Sequence, residues 1–376
     1  MSRWQLAVLA AALLLPGCSE SPSSFTIENH DGVTHAINQQ GWNVWSDTAT
    51  APITFVREQT YGTNEDAGPA LLGEITGLAV DSAGTVYVLD GANHRLVAFN
   101  PDGSVRWTAG RRGEGPGEFW RSEGMVLGDN GHLYITNDLG HLIDVWTTGG
   151  KFVERATFEE EELGMLNLVG YAKGVLVVSE PGFGSEPQTL HALNPETWTL
   201  VHSSSLSAEL KLSENVGVSR DASTIGDSIF VSGLSEYTLS RYSVDGTLGH
   251  RISRSVAPPP KPAMYDGGVR FYGGLNAPVR LPSGHLLVSV SWASNVDDPD
   301  AHYRRSETGS AEEPVFTTAL DLFTANGRYI GSLQWKDRYD PSVGALKEVG
   351  PNGALYTATT DPFPQIRRYD VRLRTE

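Results

Sequence analysis

Apolar residues along this chain recur in short alternating runs, not in helical stripes. Residues 77–103, GLAVDSAGTVYVLDGANHRLVAFNPDG, hold three such runs joined by turn residues. Alternation with a period of two marks half-buried strands, and Gly-containing turns between them supply positive φ without a steric penalty. The unit then returns. A large apolar or aromatic residue closes a strand before a turn at Phe99, Trp146, Leu193, Tyr242 and Phe323, with a sixth at Tyr369. Upstream of these lie β-rich runs at 86–89, 133–136, 175–178, 229–231, 286–290 and 355–358. Tyr87 to Phe99, Tyr134 to Trp146 and Phe230 to Tyr242 share one spacing, so two registers agree.

Self-similarity at this period is the signature of propellers and solenoids. Six units in an open array would leave bare sheet edges, so closure is expected. The last unit runs out of chain at Glu376 before a fourth strand. Residues 53–58, ITFVRE, resemble the outer strand of the first unit at 104–107. The predicted fold is therefore all-β: a six-bladed β-propeller over residues 51–376, with four-stranded antiparallel blades, its last blade closed by an N-terminal strand.

Segments GLAVD (77–81), VYVLD (86–90), NHRL (93–96) and GEGPGEF (113–119) resemble NHL-type six-bladed β-propellers, especially a bacterial lipoprotein-like branch. The resemblance covers roughly residues 53–376, is strongest in the first two units and weakest in the third and fifth. It implies a ring. It implies no single activity, because the family includes binding modules, scaffolds and a few metal-dependent enzymes.

Ahead of the repeats, Arg3 precedes an apolar run that ends in Leu15-Pro-Gly-Cys18. A basic start and so short an apolar stretch fit a signal peptide over 1–17, not a spanning helix. Leu-x-Gly-Cys resembles the bacterial lipobox, which implies that Cys18, the sole cysteine, carries lipid. Ser19 resembles outer-membrane sorting. Residues 18–50 are then a lipidated N-terminus, a Pro/Ser-rich tether and an extension without clear register. The expected address is the bacterial cell envelope, at the outer membrane.

Composition trims the choices. A formal charge of −17 argues against nucleic acid, which would need a basic stripe. One cysteine forbids a disulfide within the chain and a Cys-based zinc site. No Gly-x-Ser-x-Gly elbow and no His-Glu-x-x-His occurs. His94, His132, His141 and His285 form no convincing triad. The acidic stretches 159–162 and 295–300 fit solvated loops better than a calcium loop.

Length variation points to the working face. The closing residues step by 46 to 49 positions except from Tyr242 to Phe323, where the step is 81. The excess falls at 253–274 and 292–315, both on the rim of the ring opposite the tight turns. Long loops on a rigid scaffold are where binding usually resides. They carry Pro258 to Pro260 and the rim candidates Tyr265, Phe271, Tyr272, Trp292, Tyr303, Arg304 and Arg305, aromatic and guanidinium groups suited to recognition. A packed insert covering the ring, or a disordered 295–313, is the competing explanation. Polar residues at the starts of inner strands, Glu74, Arg121, Glu123, Asn167, Arg220 and Asn276, form a candidate channel mouth. An ordinary water-filled channel would look the same.

The expected function is a lipid-anchored binding or scaffold module for an envelope protein, peptide or glycan, working as a monomer without a cofactor. The alternative is a metal-dependent hydrolase or lyase. Calcium-dependent lactonase-like propellers use carboxylates and Asn around the axis, and Glu74 or Glu123 with Asn167 and Asn276 is the nearest imitation here. Calcium or zinc enters only under that alternative.

Overall fold

The computed structural model describes residues 24–45, 51–64, 68–158, 163–183, 186–206, 217–218, 220–234, 236–256, 262–265, 268–335 and 343–374. Residues 1–23 with Cys18, the acidic run at 159–162 and the prolines at 258–260 lie outside them. Six sheets stand around a central channel, each containing the four-stranded antiparallel blade that the sequence pattern predicts, with additions in blades four and five. Blade one runs outward through Ile75–Val80, Val86–Asp90, Arg95–Phe99 and Val105–Ala109. Blade two runs from Glu123–Leu127 to Phe152–Thr157, and blade three from Asn167–Ala172 to Leu200–Ser205. Blade four spans Ala222–Ile225 to Leu248–Arg254. Blade five has a broken inner strand, Gly273–Leu275 and Val279–Arg280, followed by Leu286–Ala293, Phe316–Phe323 and Tyr329–Trp335.

Blade six closes the ring as expected. Its strands Ala345–Val349, Leu355–Thr359 and Gln365–Leu373 come from the end of the chain. Its outer strand, Ile53–Tyr61, comes from the beginning and pairs antiparallel from Ile53 opposite Leu373 to Tyr61 opposite Ile366. The strand runs three residues beyond the predicted 53–58, past a bulge between Arg57 and Gln59 that takes up the twist of a long edge.

Residues 25–45, too polar and short to show a register in sequence, have one in space. Phe25–His30 and Val33–Asn38 form a hairpin whose second strand lies parallel to Leu248–Arg254, so blade four has six strands. Asn38 then joins two blades. Its amide donates to the Ser253 carbonyl (3.1 Å) and the Gly327 carbonyl (2.9 Å), and its Oδ1 accepts from the Tyr329 N–H (2.8 Å). Further on, Val44 bridges Ser332, and the Trp45 N–H donates to the Ser332 carbonyl at 2.9 Å. The N-terminal segment thus passes over blades four and five before entering blade six.

Apolar side chains from facing sheets form the core between blades. Leu89, Phe99 and Tyr134 are fully buried, or nearly so, and Val86–Asp90 is buried at every position because both faces of the blade are covered. One cluster joins blades one and two through Tyr87, Leu96, Phe119 and Trp146; another joins six and one through Tyr61, Val97, Tyr356 and Ile366. Two glycines show why the pattern needs them. Gly103 turns at φ +87°, where an added Cβ would stand 3.2 Å from the Thr60 carbonyl. Gly77 lets inner strands approach: a Cβ there would meet that of Met125 at 2.8 Å.

Candidate functional site

The corners behind the long-loop rim are pinned by buried carboxylates. Asp90 is fully buried; its Oδ1 accepts from the Gly73 and Glu74 N–H groups at 3.0 and 3.2 Å. Its Oδ2 accepts from Asn93 and Arg95 at 2.8 and 3.1 Å. Asp144 holds Arg155 and Asn137 in the same way in blade two. The NHRL signature is therefore structural. So is GEGPGEF: Glu118 accepts from the Gly115 N–H (3.0 Å) and pairs with Arg111 (2.7 Å), while Phe119 stacks on Trp146 at 5.4 Å.

Along the axis the inner strands of all six blades line a cavity of about 1290 Å3. Its polar groups include Asp221, Ser223, Thr224, Asn276, Lys347 and Glu348. Asn276 donates to Asp221 Oδ2 at 3.2 Å, and the Ala277 N–H donates to the same oxygen at 2.8 Å. Lys347 is the extra residue of a bulge between Leu346 and Glu348, which brings two successive side chains to the channel. Lys347 is exposed and Glu348 half-buried, but the ring of strands around them disfavours charge. Burial lowers the Lys347 pKa against an opposing pull from Asp221. Burial pushes Glu348 up to about 8, with only the Val80 backbone acting to lower it.

Of the six residues proposed from sequence for the channel mouth, Asn276 borders this cavity. Glu74, Arg121, Glu123 and Asn167 are exposed where inner strands begin. Arg220 is half-buried, its backbone locked to Gln188 by a pair of hydrogen bonds. Lys347 and Glu348 were missed. A bulge inside a strand turns an expected outward residue inward, and no local sequence signal announces it.

The two long loops fold together into one body on the rim. Residues 295–313, which the sequence left open between insert and disorder, contain a helix, Pro299–Glu307. Asp298 caps it by accepting from the Ala301 N–H at 2.9 Å, with Pro299 in the first turn. Ala263, Tyr272, Ala293 and Val296 are buried beneath it, with Tyr303 and Phe316 packed alongside. Tyr272 is fully buried and its hydroxyl lies 3.1 Å from His302 Nδ1, so this rim candidate belongs to the insert's core. Tyr265 stacks on Tyr303 at 4.6 Å, and Trp292 stacks on Trp42 at 5.1 Å. Phe271 is exposed and borders the channel, while Arg304 and Arg305 project from the last helical turn.

Among the described residues, no three His, Cys, Asp or Glu side chains gather as a metal site would require. Among them, too, no helix is long and apolar enough to cross a membrane.

Comparison with curated protein sequences yields no significant match. The solved structures that share the fold include two of similar extent. One is a member of the DUF4221 family from Bacteroides vulgatus ATCC 8482, at 8% identity and TM-score 0.54, matching 85% of this chain and 99% of that one. The other is a Bacteroides fragilis NCTC 9343 protein described as exported, at 12% identity and TM-score 0.57, matching 90% of this chain and all of that one (100%). At such identities the likeness concerns the fold alone. The chain is a six-bladed β-propeller whose first blade, over residues 72–99, matches the NHL repeat.

Proposed function

We propose that the chain is an exported lipoprotein, anchored through Cys18 in the outer membrane, whose propeller binds an envelope protein, peptide or glycan. One observation carries the binding face. The blade-five insert is a folded body with its own core, seated on the rim beside the channel mouth, where it presents Tyr265, Tyr303, Phe271, Arg304 and Arg305. A loop with no task has no need of a capped helix and a core. The exported Bacteroides fragilis protein of the same fold is consistent with the address.

The test is site-specific photocrosslinking in cells from Arg304 on the insert and from Asp102 on the opposite, tight-turn rim. Adducts are expected from Arg304 and not from Asp102, and Tyr265→Ala with Tyr303→Ala should abolish them. Equal adducts from both rims would remove the insert from the reading. Replacing Cys18 with Ala should move the protein from the membrane to the soluble fraction.

A second reading, hydrolysis or lyase chemistry inside the channel, has Glu348 in its favour. A carboxyl that stays protonated near neutral pH is a group that acid–base catalysis uses. Metal analysis of the purified protein and a lactone-hydrolysis assay on Glu348→Gln decide it. Bound calcium or zinc with turnover lost in the variant supports catalysis, and no turnover by the unaltered protein ends it.

A further inference from the structure

On the same rim, between blades one and two, a second cluster consists of hydrogen-bond donors. The Arg112 guanidinium lies 5.0 Å from the Trp120 ring centre and that of Arg121 5.7 Å from it. The His94 ring lies nearly parallel to the same indole at 6.4 Å. Both arginines are exposed and Trp120 is half-buried. The scaffold beneath is fixed. The Trp120 backbone N–H donates to Asn137 Oδ1 at 2.9 Å, the Trp120 carbonyl accepts from the Asp138 N–H at 2.8 Å, and the Arg121 carbonyl accepts from the Leu139 N–H at 3.2 Å.

Two features set this cluster apart from a solvated surface. Neither Arg112 nor Arg121 forms an ion pair with any described residue, although the chain carries a net charge of −17. Arg111 next door does pair, with Glu118. In addition, Arg121 sits at φ +51° and His94 at φ +53°, the left-handed region that side chains other than glycine seldom occupy. Such outliers gather where a side chain must be aimed.

We propose that Trp120, Arg112 and Arg121 form a binding site for a phosphate ester. Each guanidinium rests against the one indole through a cation–π contact. Indole and guanidinium offer donors alone, so the complement is a group made of acceptors. Two unpaired positive charges match a phosphomonoester, which carries −1.5 to −2 near neutral pH, better than a single carboxylate. The site is separate from the blade-five insert, and its fate does not depend on that surface.

Calorimetric titration of the intact lipoprotein in detergent tests it, using glucose 1-phosphate, inorganic phosphate and glucuronate as probes. Saturable binding of the two phosphates is expected, weakened about tenfold by Arg112→Gln or Arg121→Gln, as loss of a charge-assisted hydrogen bond implies. Arg121→Lys, which keeps the charge, should recover part of it. Arg121→Gly suits the left-handed backbone, so it should lose binding while melting at or above the unaltered protein's temperature. Tighter binding of glucose 1-phosphate than of phosphate supports an organic ester as ligand, and equal binding supports the free ion. Glucuronate binding as tightly as either phosphate, no saturable binding, or unchanged binding in the Gln variants would overturn the proposal.

Discussion

Arg254 and Asp321 are both fully removed from solvent, and they come from different blades. Asp321 also accepts from the hydroxyls of Tyr237 and Ser332. Arg254 Nε and Nη2 find no acceptor among the described residues, but its guanidinium lies 3.5 Å from the Tyr329 ring centre, 4.5 Å from Trp42 and 5.2 Å from Tyr237. Aromatic faces thus take the place of missing acceptors. Removing one partner strands the other charge, so Asp321→Ala should lower stability by about 3–5 kcal/mol in urea denaturation. Glu348 gives a different prediction. Its folded pKa near 8 stands above the ordinary 4.5, so it favours the fold at low pH and opposes it as pH climbs through 8. Glu348→Gln should therefore melt higher relative to the unaltered protein at pH 9 than at pH 4. Neither group could be singled out from sequence. Asp321 and Arg254 are distant in the chain, and Lys347 and Glu348 reach the channel through a bulge. Asn93 and Arg95 were legible as structural, because they belong to the NHRL segment at 93–96 that resembles the NHL pattern.

Among the elements, strands with strict alternation and glycine turns were readable, since each local choice agrees with the fold. The insert was not. Its helix, PDAHYRRSE, has no apolar stripe and docks mainly through His302 and Tyr303, so periodicity had nothing to detect. Its stability rests on its cap: Asp298→Ala should cost about 1 kcal/mol locally. Hydrogen exchange should rise across residues 299–307 while blade strands such as Val86–Asp90 stay protected. The hairpin Phe25–His30 and Val33–Asn38 escaped for the opposite reason. Its outermost strand, Phe25–His30, buries little, and mixed polarity is what such a strand should have, while Val33–Asn38 buries only Ala36 and Asn38.

For the whole molecule, the number of blades and the splice of N- and C-terminal strands were legible because six copies of one pattern leave a single strand missing. The position of the insert was legible too, as the one break in spacing. Closure also makes a prediction. Deleting residues 24–61 removes the outer strand of blade six and the cover over blades four and five. Denaturant unfolding of that truncated chain should broaden and lose cooperativity, whereas a single closed ring should unfold in one step.

The route of the N-terminal segment has a consequence in time. Asn38 finds its partners at Ser253 and Tyr329, 215 and 291 positions later, and Tyr61 meets Arg368 across 307. The first residues to leave the ribosome are thus among the last to obtain native contacts. Such distant pairings put the chain at the slow end of folding rates, because the loop entropy is lost before any contact repays it. A chain built this way stays open until its final blade is made.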